Sequence, residues 1–348
     1  ADPGAPDIDD RGFRSSTYCG ARGPVVGVVS GQSVCVKVIR DRLSPRAVLV
    51  PTFDSGAVAS LAQPFANDLL QIAGAEGIPE DGMSVLRLRH GSDSGPVVAE
   101  LAVRVYPVLR VRVKVHRVVI DGTGPSFGDF PRMFDAVNAI YAQAGIRFEQ
   151  QGTAQEIRLS GFREAGIVTM TREAGVVEGA RVVARHTARE ALNAYFVHGL
   201  AGREGIVVGY GVDRETAGSW AQYEASAAPG LLVADMQDER EGFHTVAHEI
   251  GHVLGLRHYG AGRFREDLWS HRNLMHDYSL LHTDGVSAHG AVPCRATPPR
   301  RRMGYGDNGG IYWAGDHLGT RTLNADDFQQ GEQVHIVRRA VLDGAYRT

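Results

Sequence analysis

Apolar runs broken by Gly and Pro mark the chain as far as Tyr106: Pro24 to Val29, Val34 to Ile39, Ala47 to Pro51, Met83 to Arg89 and Val97 to Tyr106. Runs this short, bounded by turn residues, predict β-strands. One stretch reads differently. Leu61, Phe65, Leu69 and Ile72 recur at helical spacing before Gly74, with Pro64 limiting any upstream extension, and so predict a helix. A second pattern begins near Val108, where Leu109, Val111, Val113 and Val115 alternate with Arg110, Arg112, Lys114 and His116, the period-2 signature of a half-buried strand. A helix is predicted next: Asp129 and Pro131 suit its N-terminus, Met133, Val137, Ile140, Tyr141 and Ala144 form its apolar stripe, and Gly145 suits its stop. Ile146 to Glu149, Leu192 to Val197, Ile206 to Tyr210 and Leu231 to Ala234 then read as strands ahead of a further helix.

The change of pattern divides the chain into a β-rich module over residues 1–107, compatible with a β-sandwich, and an α+β domain over 108–348. A length of 348 residues suffices for two domains with real cores. The 43 glycines favour tight turns over long helices. Lys plus Arg is 37 against 40 for Asp plus Glu, spread without blocks, which speaks against nucleic acid or an anionic membrane as partner. No apolar run approaches the roughly 18 residues of a membrane-spanning helix. Cys19, Cys35 and Cys294 allow at most one disulfide, with Cys19–Cys35 the pair to consider, and lack the close spacing of a zinc finger. The expected state is a monomer.

Chemistry is concentrated in Thr245-Val-Ala-His248-Glu249-Ile-Gly-His252-Val-Leu-Gly255-Leu-Arg-His258. On a helix, His248 and His252 stand roughly 40° apart in projection and share a face. Val246, Ile250, Val253 and Leu254 centre on the opposite side, so one face can be buried while the other looks into a cleft. Gly255 can take the left-handed conformation that ends a helix and returns His258 toward the first two histidines. Three neutral imidazoles hold Zn²⁺ with one tetrahedral position left for water, the arrangement of a catalytic site. Glu249, beside that position and not a ligand, suits a general base that later protonates the leaving amine. From composition alone, the five fixed positions His248, Glu249, His252, Gly255 and His258 would be matched by chance somewhere in the chain with a probability on the order of 10⁻⁴.

The run from His248 to His258, together with Asn273-Leu274-Met275-His276, resembles the metzincin clan of zinc endopeptidases. The resemblance extends over residues 108–348 through the order of strand, helix, strands and active helix. It implies a mixed, twisted sheet and hydrolysis of extended protein or peptide substrates. Met275 would be the methionine beneath the metal, in preference to Met303. Leu231, Leu232, Val233 and Ala234 would form an antiparallel edge strand that pairs with substrate, and Met275 to about Cys294 would wall a side-chain pocket. Tyr259 after the third histidine matches no subfamily, where Ser or Thr, Glu, Asp or Pro stands. Tyr278, three residues past Met275 rather than two, is a candidate transition-state stabiliser with a packing role as its alternative.

Weaker signals complete the picture. His244, one turn before His248, suits the cleft wall. Asp235, Asp238, Glu239 and Glu241 form an acidic cluster open to Ca²⁺ or to simple solvation at a helix start. Cys19-Gly20 and Phe127-Gly128-Asp129 do not make a convincing latency plug. The clan resemblance and the absence of an initiator Met lead to an expected secreted or extracytoplasmic location. Two other function classes stay open: a zinc-containing binding or adhesion protein whose first module does the work, and a zinc hydrolase of a non-peptide amide.

Overall fold

The computed structural model describes residues 25–38, 40, 43–79, 82–171, 177–185, 188, 190–202, 205–207, 209–235, 239–256 and 333–344. Residues 25–106 build two sheets. One has the order β1 (Val25–Val29), β7 (Val97–Tyr106), β6 (Met83–His90), β3 (Leu49–Phe53), and the other β2 (Ser33–Lys37), β5 (Leu69–Gly74), β4 (Ala59–Leu61). Alternate residues such as Val26, Val28, Leu70, Ile72, Leu86, Val103 and Val105 share one apolar core between them.

The helix expected from Leu61 to Ile72 is a β-hairpin instead. Leu70 and Ile72 are buried at period 2 in β5. Asn67 and Asp68 both adopt positive φ, and the Leu69 N–H donates to the Ala66 carbonyl at 2.9 Å, the pattern of a two-residue type I′ turn. The helical spacing of four apolar residues was incidental; the left-handed Asn-Asp pair decides the local structure.

The remaining residues centre on a six-stranded sheet ordered β10 (Gln155–Leu159), β8 (Leu109–Ile120), β12 (Leu192–Val197), β16 (Gly230–Ala234), β15 (Gly209–Val212), with β9 (Ile146–Gln150) beside the first half of β8. All pairings are parallel except β15 with β16, so the sheet is mixed. A small sheet of β11 (Ile167–Thr169), β13 (Gly199–Gly202) and β14 (Gly205–Val207) lies apart from it.

Both faces of the large sheet are covered. Leu192, Ala194, Phe196, Leu231 and Val233 point to the side of α1 (Phe130–Tyr141), α4 (Glu239–Val253) and α5 (Gln333–Asp343). Tyr195, Val197, Leu232 and Ala234 point to α2 (Glu178–Val183) and α3 (Arg214–Trp220). Burial on both faces accounts for the unbroken apolar runs of β12 and β16. Helix α1 begins where expected: the Asp129 carboxylate accepts from the Arg132 N–H at 3.2 Å, and Gly145 takes φ 61° after a 3₁₀ turn over 142–144.

One expectation about the sheet is corrected. Leu231, Leu232, Val233 and Ala234 are buried in an interior strand, β16, held between β12 and β15. Their continuous hydrophobicity signals that double-sided burial. Among the described residues, the antiparallel strand at the edge is β15.

The C-terminal helix α5 closes the joint between the two parts of the chain. Arg338 is 2% exposed, and its guanidinium donates to the carbonyls of Ala144 at 2.5 Å and Pro107 at 2.9 Å while lying 4.9 Å over the Tyr106 ring. Tyr106 and Pro107 connect β7 to β8, so one side chain ties that connection, the end of α1 and α5 together. Replacing Arg338 with Leu leaves these carbonyls without their donors and is expected to cost about 3 kcal/mol in a denaturant titration; an unchanged midpoint would show that the joint does not depend on it.

Candidate active site

Helix α4 carries His248, Glu249 and His252, and its placement follows from its apolar side. Val246, Ala247, Ile250, Val253 and Leu254 are buried in the cluster formed with α1 and the sheet. From α1, the Tyr141 hydroxyl donates to the Ala247 carbonyl at 2.8 Å, one residue before His248. Burial, with the Glu249 carboxylate nearby, pushes the Tyr141 hydroxyl far up, so it stays a donor at any working pH.

The helix ends as its sequence predicts. Gly255 adopts φ 90°, its N–H donates to the His252 carbonyl at 2.9 Å, and the Leu256 N–H donates to the Gly251 carbonyl at 2.9 Å. This pair of bonds is a Schellman motif, and Leu256 packs into the same core as Ile250.

Turning the chain here also brings the Leu256 carbonyl to 2.8 Å from His252 Nδ1. A carbonyl can only accept, so Nδ1 carries the proton and Nε2 is the nitrogen with a lone pair to offer. The His248 and His252 rings stand edge to face with centroids 4.8 Å apart. Two imidazoles on one helix face, one locked in the tautomer that leaves Nε2 as donor atom, are a donor set that fits zinc. Among the described residues no third His, Cys, Asp or Glu joins them. His258, Met275 and Tyr278 lie outside the described residues, as do Cys19 and the pocket-wall segment. The side chains of Cys35 and His244 are likewise outside the description.

Glu249 is buried, and that burial pushes its carboxyl up to about 8, partly offset by a hydrogen bond from the Gly211 backbone N–H. Its seat is the face of β15 toward α4. Gly209 and Gly211 point there, whereas Tyr210 and Val212 point to the opposite face, where Tyr210 stacks on Trp220 at 5.8 Å. A Cβ on Gly209 would stand 2.6 Å from both Cγ and Oε1 of Glu249, and one on Gly211 would stand 2.7 Å from the Glu249 carbonyl oxygen and collide with His252 Cβ. Sequence reasoning gave Ile206 to Tyr210 only as a strand. The signal for the seat was present in Gly209-Tyr210-Gly211-Val212, where side chains occur on one face alone.

Of the acidic cluster, Asp235 has a structural role. Its carboxylate accepts from the Ser126 N–H at 2.7 Å, the Ser126 hydroxyl at 2.8 Å and the Phe127 N–H at 3.1 Å, tying the loop before α1 to the end of β16. Those contacts account for the residue without a cation. The side chains of Asp238, Glu239 and Glu241 lie outside the described residues.

Residues 130–259 match the family model described as metallo-peptidase family M12B, reprolysin-like. The match runs from the first residue of α1 past the third histidine, and so spans a little over a third of the chain. It supports a metzincin-type zinc metallopeptidase over this part of the chain, within a family whose members hydrolyse peptide bonds. No curated protein matches the chain. Among solved structures, a 2,6-sialyltransferase of Vibrionaceae Photobacterium sp. JT-ISH-224, crystallised with CMP and lactose, aligns at 11% identity over 51% of this chain and 34% of its own, with a TM-score of 0.22. A sialyltransferase from Photobacterium damsela aligns at 8% identity over 52% and 36%, with a TM-score of 0.20. This chain therefore spans about a third of each, and superpositions this slight bear on neither fold nor function.

Gly255→Ala forces a Cβ into the left-handed region and is expected to lower stability by about 1 kcal/mol. Because the same turn presents the Leu256 carbonyl to His252, zinc retention against a competing chelator should weaken with it. Loss of stability with zinc retention unchanged would separate the turn from the site.

Proposed function

We propose that the protein is a zinc-dependent endopeptidase in which His248, His252 and His258 hold the metal and Glu249 is the general base. The observation that carries this reading is a buried Glu249 carboxylate set against β15, on the same helix that sets the His248 and His252 rings edge to face. A structural zinc site has no use for such a base. Zinc bound there would acidify a water and polarise the scissile carbonyl.

The residues of this chain do the rest. Glu249 takes a proton from the attacking water and returns it to the departing amine, and its burial, which raises its carboxyl, favours the return step. Nδ1 of His252, held by the Leu256 carbonyl, keeps its ring from turning. Met275 would support the metal from below and Tyr278 would face the developing oxyanion.

Substrate is expected to lie extended along β15. This strand pairs with β16 on one side and, among the described residues, with no strand on the other. A peptide added to an open edge gains backbone hydrogen bonds without regard to sequence, and here it would run past Glu249. No helix of the described residues is long and apolar enough to cross a membrane. A secreted or extracytoplasmic location fits a protease that must be kept from the cell's own proteins.

The test is digestion of unfolded casein by the parent chain and by Glu249→Ala, with zinc quantified in both. The variant is expected to keep one zinc per chain and lose at least about 100-fold in turnover, and a chelator should abolish the parent's activity. Zinc retained with no cleavage by the parent would favour the binding-protein reading, and turnover by Glu249→Ala equal to the parent's would sink the mechanism.

A further inference from the structure

The two glycines of β15 are there for space and not for backbone freedom. Neither Gly209 nor Gly211 has positive φ, so any residue could adopt their conformations. On this side of the large sheet, β12, β16 and the first half of β8 place Val, Leu, Ala or Phe against the helices. At β15 the residues facing α4 are Gly209 and Gly211, and α4 comes down onto them.

We infer that Gly209 and Gly211 are positioning residues for the catalytic machinery: together they form a side-chain-free seat that fixes the Glu249 carboxylate and the height of α4 above the sheet. The inference rests on the reading of Glu249 as the base. The two positions act differently. At Gly209 an added Cβ meets Cγ and Oε1 of Glu249 at 2.6 Å and Cγ2 of Thr245 at 2.8 Å, all side-chain atoms, so the strand can stay while the carboxylate is displaced. At Gly211 the Cβ meets the Glu249 carbonyl oxygen at 2.7 Å and His252 Cβ, which are fixed to the helix, so helix and strand must part. Parting them also removes the Gly211 N–H from the Glu249 carboxylate. Gly209 thus sets the position of the base, and Gly211 sets the position of the metal-binding helix.

Gly209→Ala is expected to bind one zinc per chain with parental resistance to a competing chelator, and to lose tenfold or more in kcat with KM within about twofold. Gly211→Ala is expected to lose zinc to the chelator at a tenfold or lower chelator concentration. A readout independent of turnover comes from thermal unfolding of Gly209→Ala, Glu249→Ala and the double variant. If the seat belongs to Glu249, the fall in melting temperature caused by Gly209→Ala shrinks by half or more once Glu249 is Ala, because the colliding carboxylate is gone. Additive falls in melting temperature, or parental kcat in Gly209→Ala, would overturn the inference. If casein were not cleaved by any variant, the endopeptidase reading would fail while the unfolding cycle still decided whether Gly209 seats Glu249.

Discussion

The site depends on a single packing constraint: α4 must bury one face in the sheet while holding three polar side chains at its margin. Val246, Ala247, Ile250, Val253 and Leu254 join the core shared with α1, and the Tyr141 hydroxyl fastens the Ala247 carbonyl in the middle of that face. Burial of five apolar side chains contributes on the order of 10 kcal/mol, before the entropy of ordering them is set against it. Glu249 and His248 are drawn into the interior by that packing, each 7% exposed. The Glu249 carboxyl is tolerated at such depth because the Gly211 backbone N–H donates to it.

The same constraint explains why the sheet changes direction where it does. The strands β8, β12 and β16 are parallel and covered on both faces, whereas β15 runs antiparallel to β16 at the margin. A parallel strand in that place would need a crossover connection to β16. The antiparallel strand reaches the margin without one, and α4 can rest directly on its bare glycines.

Much of this was legible in the sequence, for physical reasons that can be named. The strand at Val97–Tyr106, the strand at Leu192–Val197, the Asp129 cap of α1, the stop at Gly145 and the turn at Gly255 each follow from a local rule that tertiary packing did not override. The histidine and glutamate spacing was legible because metal chemistry demands it. Other features were not. Leu61 to Ile72 carries two periodicities at once, and only the positive φ of Asn67 and Asp68 settles between them. Leu231 to Ala234 announces burial but not whether a neighbour lies on one side or both. Helices α2 and α3, of 6 and 7 residues, are too short for periodicity to register. Nothing local in the sequence marks Arg338 as buried; it lies inside because the turn after α1 and the β7–β8 connection present carbonyls to it.

The path of the chain through the core shared with α4 has a further consequence. Val337 and Val341 of α5 belong to the same apolar cluster as Val246, Ile250 and Leu254. During synthesis these two valines emerge after the whole of the active helix and the segment beyond it. The helix that would carry the metal therefore reaches its final packing only after residues well downstream of it have been made. The packing of α4 is thereby conditional on a distant segment: until α5 arrives, the apolar side of the candidate active-site helix lacks two of its neighbours.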